Sequence, residues 1–132
     1  MRRLRGDRGY TMIELMVVMT IMVVLASIGI AQYRQSIVRT REAVLKEDLF
    51  RMRDAIDQYY ADKNTYPSTL DALVSDGYLR SLPKDPFTES QSSWVPVAAE
   101  ADARNPTTQP GVYDVKSGSE LSALDGTRYA DW

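Results

Sequence analysis

Arg8-Gly9-Tyr10-Thr11-Met12-Ile13-Glu14-Leu15, followed by MVVMTIMVVLASIGIA over residues 16–31, decides how the rest of the chain must be read. From Leu15 to Ala31 every side chain is apolar or small. As a helix this run spans roughly 25 Å at about 1.5 Å per residue. A hydrocarbon core is about 30 Å thick, so Tyr10–Met12 and Tyr33 are needed to complete a span over residues 10–33. The arginines ahead of it place the N-terminal side in the cytoplasm by the positive-inside bias. Residues 34–132 then face the other compartment.

Glu14 does not suit this run. An ionised carboxylate costs roughly 3 kcal/mol at the centre of a membrane span and is disfavoured at its edge too unless it is paired. Arg8 stands six residues upstream, off the neighbouring helical face, and no cation follows within a turn. Near the headgroups the carboxylate could stay wet; the sharper reading is that it awaits a positive partner from another molecule. Composition leaves three fates for the segment open. It could be an uncleaved anchor. It could be a secretory signal cut at the small-x-small stretch Gly29-Ile30-Ala31, before Gln32. It could be cut ahead of the apolar run, at Gly9.

The totals narrow the functions. A chain of 132 residues holds one small domain beside such an anchor. Of its 16 basic and 18 acidic side chains, four and one fall in residues 1–9, which leaves 12 and 17, a net of −5, for the rest. A basic leader thus precedes an acidic body, and nucleic acid is not an expected partner. With no cysteine there is no disulfide and no thiolate chemistry; with no histidine the commonest general base is missing. Tyr59, Tyr60, Tyr66, Phe87, Trp94 and Tyr113 lack interleaved basic residues and read as core, not as a base-stacking surface. Asp54 and Asp57 lie one turn apart on a solvated helix face and suggest no catalysis.

Beyond the anchor no proline interrupts the helical pattern before Pro67. Leu45, Leu49, Met52, Ile56 and Tyr59 recur at steps of four and three as one apolar stripe. Glu42–Lys46 and Glu47–Arg51 stand at the favourable i,i+4 spacing on the wet sides. One helix from Tyr10 to about Lys63 is predicted, roughly 80 Å long. Ser68-Thr69-Leu70-Asp71 reads as the capped start of a short helix over about 69–76, stopped by Gly77 and laying Leu70, Leu73 and Val74 on the stripe. Leu82–Pro86 is too proline-rich for regular structure. Trp94–Ala99 and Val112–Lys116 are the strand candidates, with a polar loop over 100–110 between them. The expected class is α+β, a long helix packed on a small antiparallel sheet.

The segment from Arg8 to Leu15 resembles the prepilin peptidase recognition motif of type IV pilins and type II secretion pseudopilins. That resemblance implies a leader, residues 1–9, cleaved after Gly9. It implies N-methylation of the freed Tyr10, where Phe is commoner. It implies that Glu14, the fifth mature residue, neutralises the N-terminal ammonium of a neighbouring subunit in a filament. Ile56–Pro67, Leu73–Leu79, Pro83–Phe87, Gly111–Ser119 and Leu124–Trp132 extend the similarity, toward the major pseudopilin in particular. The missing disulfide favours a secretion pseudopilin over a type IV pilin of adhesion, motility or DNA uptake. A monomeric anchored binding module or enzyme is the rival of a different class. The implied partners are copies of the chain itself, minor pseudopilins, prepilin peptidase, an inner-membrane assembly platform and a cytoplasmic ATPase. Major pseudopilins also hold calcium in the loop matching Ser117–Asp131, which implies ligands among Ser117, Ser119, Glu120, Asp125 and Asp131. The same Asp125-Gly126 reads equally as a turn capped by its own aspartate, with Tyr129 and Trp132 pinning the loop inward. Where many relatives carry proline, this chain has Ala31, and only Gly29 weakens the helix there.

Overall fold

The computed structural model describes residues 7–100 and 110–132, and side chains from Thr11 onward. Residues 1–6 of the expected leader and 101–109 of the expected polar loop lie outside the described residues. The elements run α1 (Asp7–Lys63), α2 (Leu70–Ser75), β1 (Val95–Ala98), β2 (Val112–Lys116) and a closing 3-10 turn, Tyr129–Asp131. The architecture is α+β, as expected. Helix α1 begins three residues ahead of Tyr10 and passes through Gly29 and Ala31 without a break. With no proline in it, every interior residue can donate to the carbonyl four residues back.

The chain divides into two units at Val38/Arg39. Among the described residues the first is helix alone. The second has a core built on the predicted stripe. Leu45, Leu49, Met52 and Ile56 are buried, and they share one cluster with Leu73, Trp94, Val112, Val115 and Tyr129. Tyr59 is packed against its margin. Each such side chain contributes about 1.5–3 kcal/mol on full burial. Asp54 and Asp57 stay on the exposed face, Asp54 accepting a hydrogen bond from Gln58 at 2.8 Å.

After Pro67, which is itself buried, the chain folds back. Helix α2 buries Leu70 and Leu73, and Val74 is half-buried. The expected side-chain cap is not made: Thr69 makes no capping hydrogen bond, and its backbone carbonyl accepts from Ala72 instead. Six residues held down by two buried leucines do not depend on a cap. Gly77 ends the element in the left-handed region at φ +83°, where a Cβ is disfavoured.

Strands β1 and β2 pair antiparallel, with Val95 opposite Lys116, Pro96 opposite Val115 and Val97 opposite Asp114. A register shift between Val97 and Ala98 bulges the pair. Strand β1 is one residue shorter at each end than the sequence suggests. Trp94 leaves the strand because its indole donates to the Pro83 carbonyl at 2.8 Å. Proline is tolerated at position 96 because a two-stranded sheet leaves each strand an outer edge. The Val112 amide donates to the Pro67 carbonyl at 2.8 Å, which ties β2 to the segment leaving α1.

Gly118, just past β2, passes close to the serine segment before β1: a Cβ there would lie 2.0 Å from the Ser93 carbonyl oxygen. Backbone cannot yield as a flexible side chain does. Gly118→Ala is therefore expected to cost about 1–3 kcal/mol and to lower the thermal midpoint by several degrees, read by circular dichroism of the purified chain.

Candidate functional site

The first candidate site is the bare length of α1. From Met12 to Ile30 the large apolar side chains are each 44–67% exposed. The helix is long and apolar enough to cross a membrane. Such a surface is stable only in lipid or against other helices. Its two hydroxyls are satisfied within the helix: Thr20 donates to the Met16 carbonyl and Ser27 to the Val23 carbonyl, both at 2.8 Å. Neither therefore brings an unpaired donor into hydrocarbon. Glu14 is exposed on this helix and has no ion-pair partner among the described residues. Gly9 and Tyr10 occupy the first turns of the same helix.

The second candidate is the loop Ser117–Asp131. Ser117 is buried, and its hydroxyl donates to the Asp85 carboxylate at 2.6 Å while accepting the Ser119 amide at 3.1 Å. Asp85 is fully buried; its other oxygen accepts the amides of Phe87 and Thr88. The buried Ser119 hydroxyl accepts the Leu121 amide at 3.3 Å. Asp125 caps its own turn, one oxygen accepting the Thr127 amide at 2.9 Å and the Thr127 hydroxyl at 2.6 Å. These bonds hold the Asp125 carboxyl below the usual carboxylate range. Glu120 and Asp131 are exposed. The five residues implied as calcium ligands are thus divided between core and surface. Among the described residues no three acidic side chains come together as a metal-holding set. The donor set does not fit calcium as it stands, since a hard cation takes six or more converging oxygens.

Glu42 has a different role from the one its spacing suggests. Glu47–Arg51 forms the expected surface pair at 2.8 Å, but Glu42 does not turn to Lys46. One oxygen of its carboxylate accepts the Leu124 amide at 2.8 Å and the Tyr129 hydroxyl at 2.9 Å. Lys46 lies over the Trp132 ring at 4.5 Å instead. Arg53 binds Asp114 at 2.7 Å and also donates to the carbonyls of Val115 and Trp132, at 3.0 and 2.8 Å. Tyr129 is stacked on Phe87 with ring centroids 4.0 Å apart, and Trp132 meets its edge. The inward packing of both aromatics is as the sequence implies. Arg53 was not singled out by it, Asp85 and Thr127 were included only within the similar segments, and Glu42 was read only as a surface partner of Lys46. For Glu42 a signal existed: the stripe 45-49-52-56, extended back by three, lands on residue 42.

Burial pushes the Tyr129 phenol up to about 12, helped by its hydrogen bond to Glu42 and that carboxylate's charge. The folded state thus binds the phenolic proton more tightly than the unfolded chain, whose tyrosines titrate near pH 10. This stabilisation is complete below about pH 10 and is lost as the pH climbs toward 12. Thermal midpoints across that interval are expected to fall steeply for the native chain and less steeply for Tyr129→Phe, which has no proton to lose.

Residues 4–30 match the family described as the prokaryotic N-terminal methylation motif. Relatives from several bacteria carry the name type II secretion system core protein G. The protein of Pectobacterium carotovorum is 35% identical over 61% of this chain and 62% of its own length, less than two thirds of it. That of Klebsiella michiganensis is 33% identical over 66% of this chain and 72% of its own. That of Pseudomonas aeruginosa is 35% identical over 63% and 70%. No solved structure matches the chain. A methylation motif at the start of an exposed apolar helix, followed by a small α+β unit alike in sequence to these proteins, places the chain in the type II secretion system core protein G family, the major pseudopilins.

Proposed function

We propose that this pseudopilin is made with residues 1–9 as a leader, cut by a prepilin peptidase after Gly9 and methylated on the Tyr10 amine. Residues 10–33 then hold it in the inner membrane with the N-terminus cytoplasmic, and residues 34–132 form its periplasmic domain. Mature copies polymerise into a periplasmic pseudopilus, their apolar helices forming the filament core. Minor pseudopilins, a membrane platform and a cytoplasmic ATPase are its partners in assembly. The chain has no phosphate-binding loop with which to supply the energy itself, and its role is structural, without turnover of its own.

The observation that carries this reading is the helix surface between Met12 and Ile30, bare of any covering group, with one carboxylate at its start. Hydrocarbon and neighbouring helices both satisfy the apolar part. Neither satisfies Glu14. A free α-amine on Tyr10 of an adjacent copy supplies the opposite charge, and a paired carboxylate is far less costly to withdraw from water than a lone one. The pair also sets the register of one helix against the next, as a buried polar residue does in a coiled coil.

Two measurements test it. Mass spectrometry of the mature protein should find N-methylated Tyr10 as the first residue; Met1 or Gln32 in that place overturns the processing. Glu14→Ala should enter the membrane in normal amount yet give severalfold fewer filaments. Filament yield equal to that of the native chain would remove the pairing role.

A further inference from the structure

We propose that the loop Ser117–Asp131 of this pseudopilin is closed by protein groups alone, anchored to α1 by the Glu42 carboxylate, so that folding of the subunit does not depend on calcium. The resemblance to major pseudopilins implies the opposite, and the difference lies in where the oxygen atoms point. A bound cation ties separated parts of a loop together by drawing their oxygens to one centre. Here a carboxylate from the helix does so with the opposite polarity. It draws a backbone amide, that of Leu124, and a phenolic hydroxyl, that of Tyr129, to one oxygen. Hydrogen bonds to an ionised acceptor are about twice as strong as neutral ones.

Of the oxygens implied as ligands, those of Ser117 and Ser119 and one of Asp125 are already engaged, while Glu120 and Asp131 stand exposed and join no set of three acidic side chains among the described residues. Ser117 is bound to the buried Asp85, which has no free oxygen of its own. Asp125 holds Thr127, and the Thr127 hydroxyl in turn accepts the Trp132 indole N–H at 2.8 Å. A cation on that oxygen of Asp125 would compete with this chain of contacts. It would also enter a cleft that Asp125 shares with Lys46 and Arg53, two positive charges opposed to a third. The loop is fastened at its start by Asp85, at its middle by Glu42 and at its end by Arg53 on the Trp132 carbonyl.

The test uses the full chain purified in detergent, stripped with a calcium chelator and then returned to millimolar calcium. The thermal midpoints in chelator and in calcium should agree within about 1 °C. A cation bound at a hundredfold excess over its Kd would raise the midpoint of a domain this size by roughly 10 °C, and a rise of that order overturns the proposal. The anchor is read separately by hydrogen exchange at the Leu124 amide. Glu42→Gln should speed it about tenfold or more, the loss expected of a hydrogen bond to a charged group, and Tyr129→Phe by less. Unchanged protection in Glu42→Gln overturns the anchoring role. Both readouts concern the single subunit, so a failed filament assay leaves them standing, and their failure leaves the assembly reading intact.

Discussion

One helix has to be stable in two solvents. Between Leu15 and Ile30 its side chains are apolar or small on every side and all stand exposed. Between Leu45 and Ile56 it offers a single stripe to a small aqueous core. The backbone requirement is the same in both stretches, because an unbroken helix pairs its own amides and carbonyls wherever it runs. The side-chain requirements are opposite. A proline-free run from Asp7 to Lys63 meets the first demand, and the switch from continuous to striped hydrophobicity meets the second.

The domain built on the stripe joins a small hydrophobic core to long connecting segments. Among the described residues its sheet has two strands, and much of the rest is loop. What completes it is a set of polar groups taken into or beside the core, each with a partner. Asp85 is fully buried with both carboxylate oxygens occupied, and among the described residues no buried side-chain nitrogen or oxygen lacks a hydrogen bond. A carboxylate in that position stabilises only when its lone pairs are filled; left unpaired it would cost several kcal/mol. Asp85, Glu42 and Arg53 therefore do for the loops what disulfides or metals do in other small domains.

The same economy governs the anchor, with one exception. Thr20 and Ser27 are satisfied by their own helix. Glu14 has no ion-pair partner among the described residues. The contrast is between a domain whose buried acid, Asp85, is fully paired and an apolar helix whose one acid is exposed.

The anchor, the unusual Glu14, the stripe and both strands were legible because each depends on residues close in sequence: a continuous apolar run, a period of 3.6, a β-branched pair of segments. The α+β class followed from their order, and the pilin-like reading from the resemblance of the segment Arg8–Leu15. Loop closure was not legible. Glu42 and Leu124 are 82 residues apart, and Asp85 and Ser117 are 32 apart. Spacing put Glu42 with Lys46, four residues on, and that local pair lost to two donors that only folding brings near. The side-chain cap expected at Thr69 is likewise not made. Sequence determines what is periodic and local, because those preferences act within a turn or a strand. Which carboxylate meets which amide belongs to tertiary structure, because the energy of such a bond is decided by what the surrounding chain excludes from water.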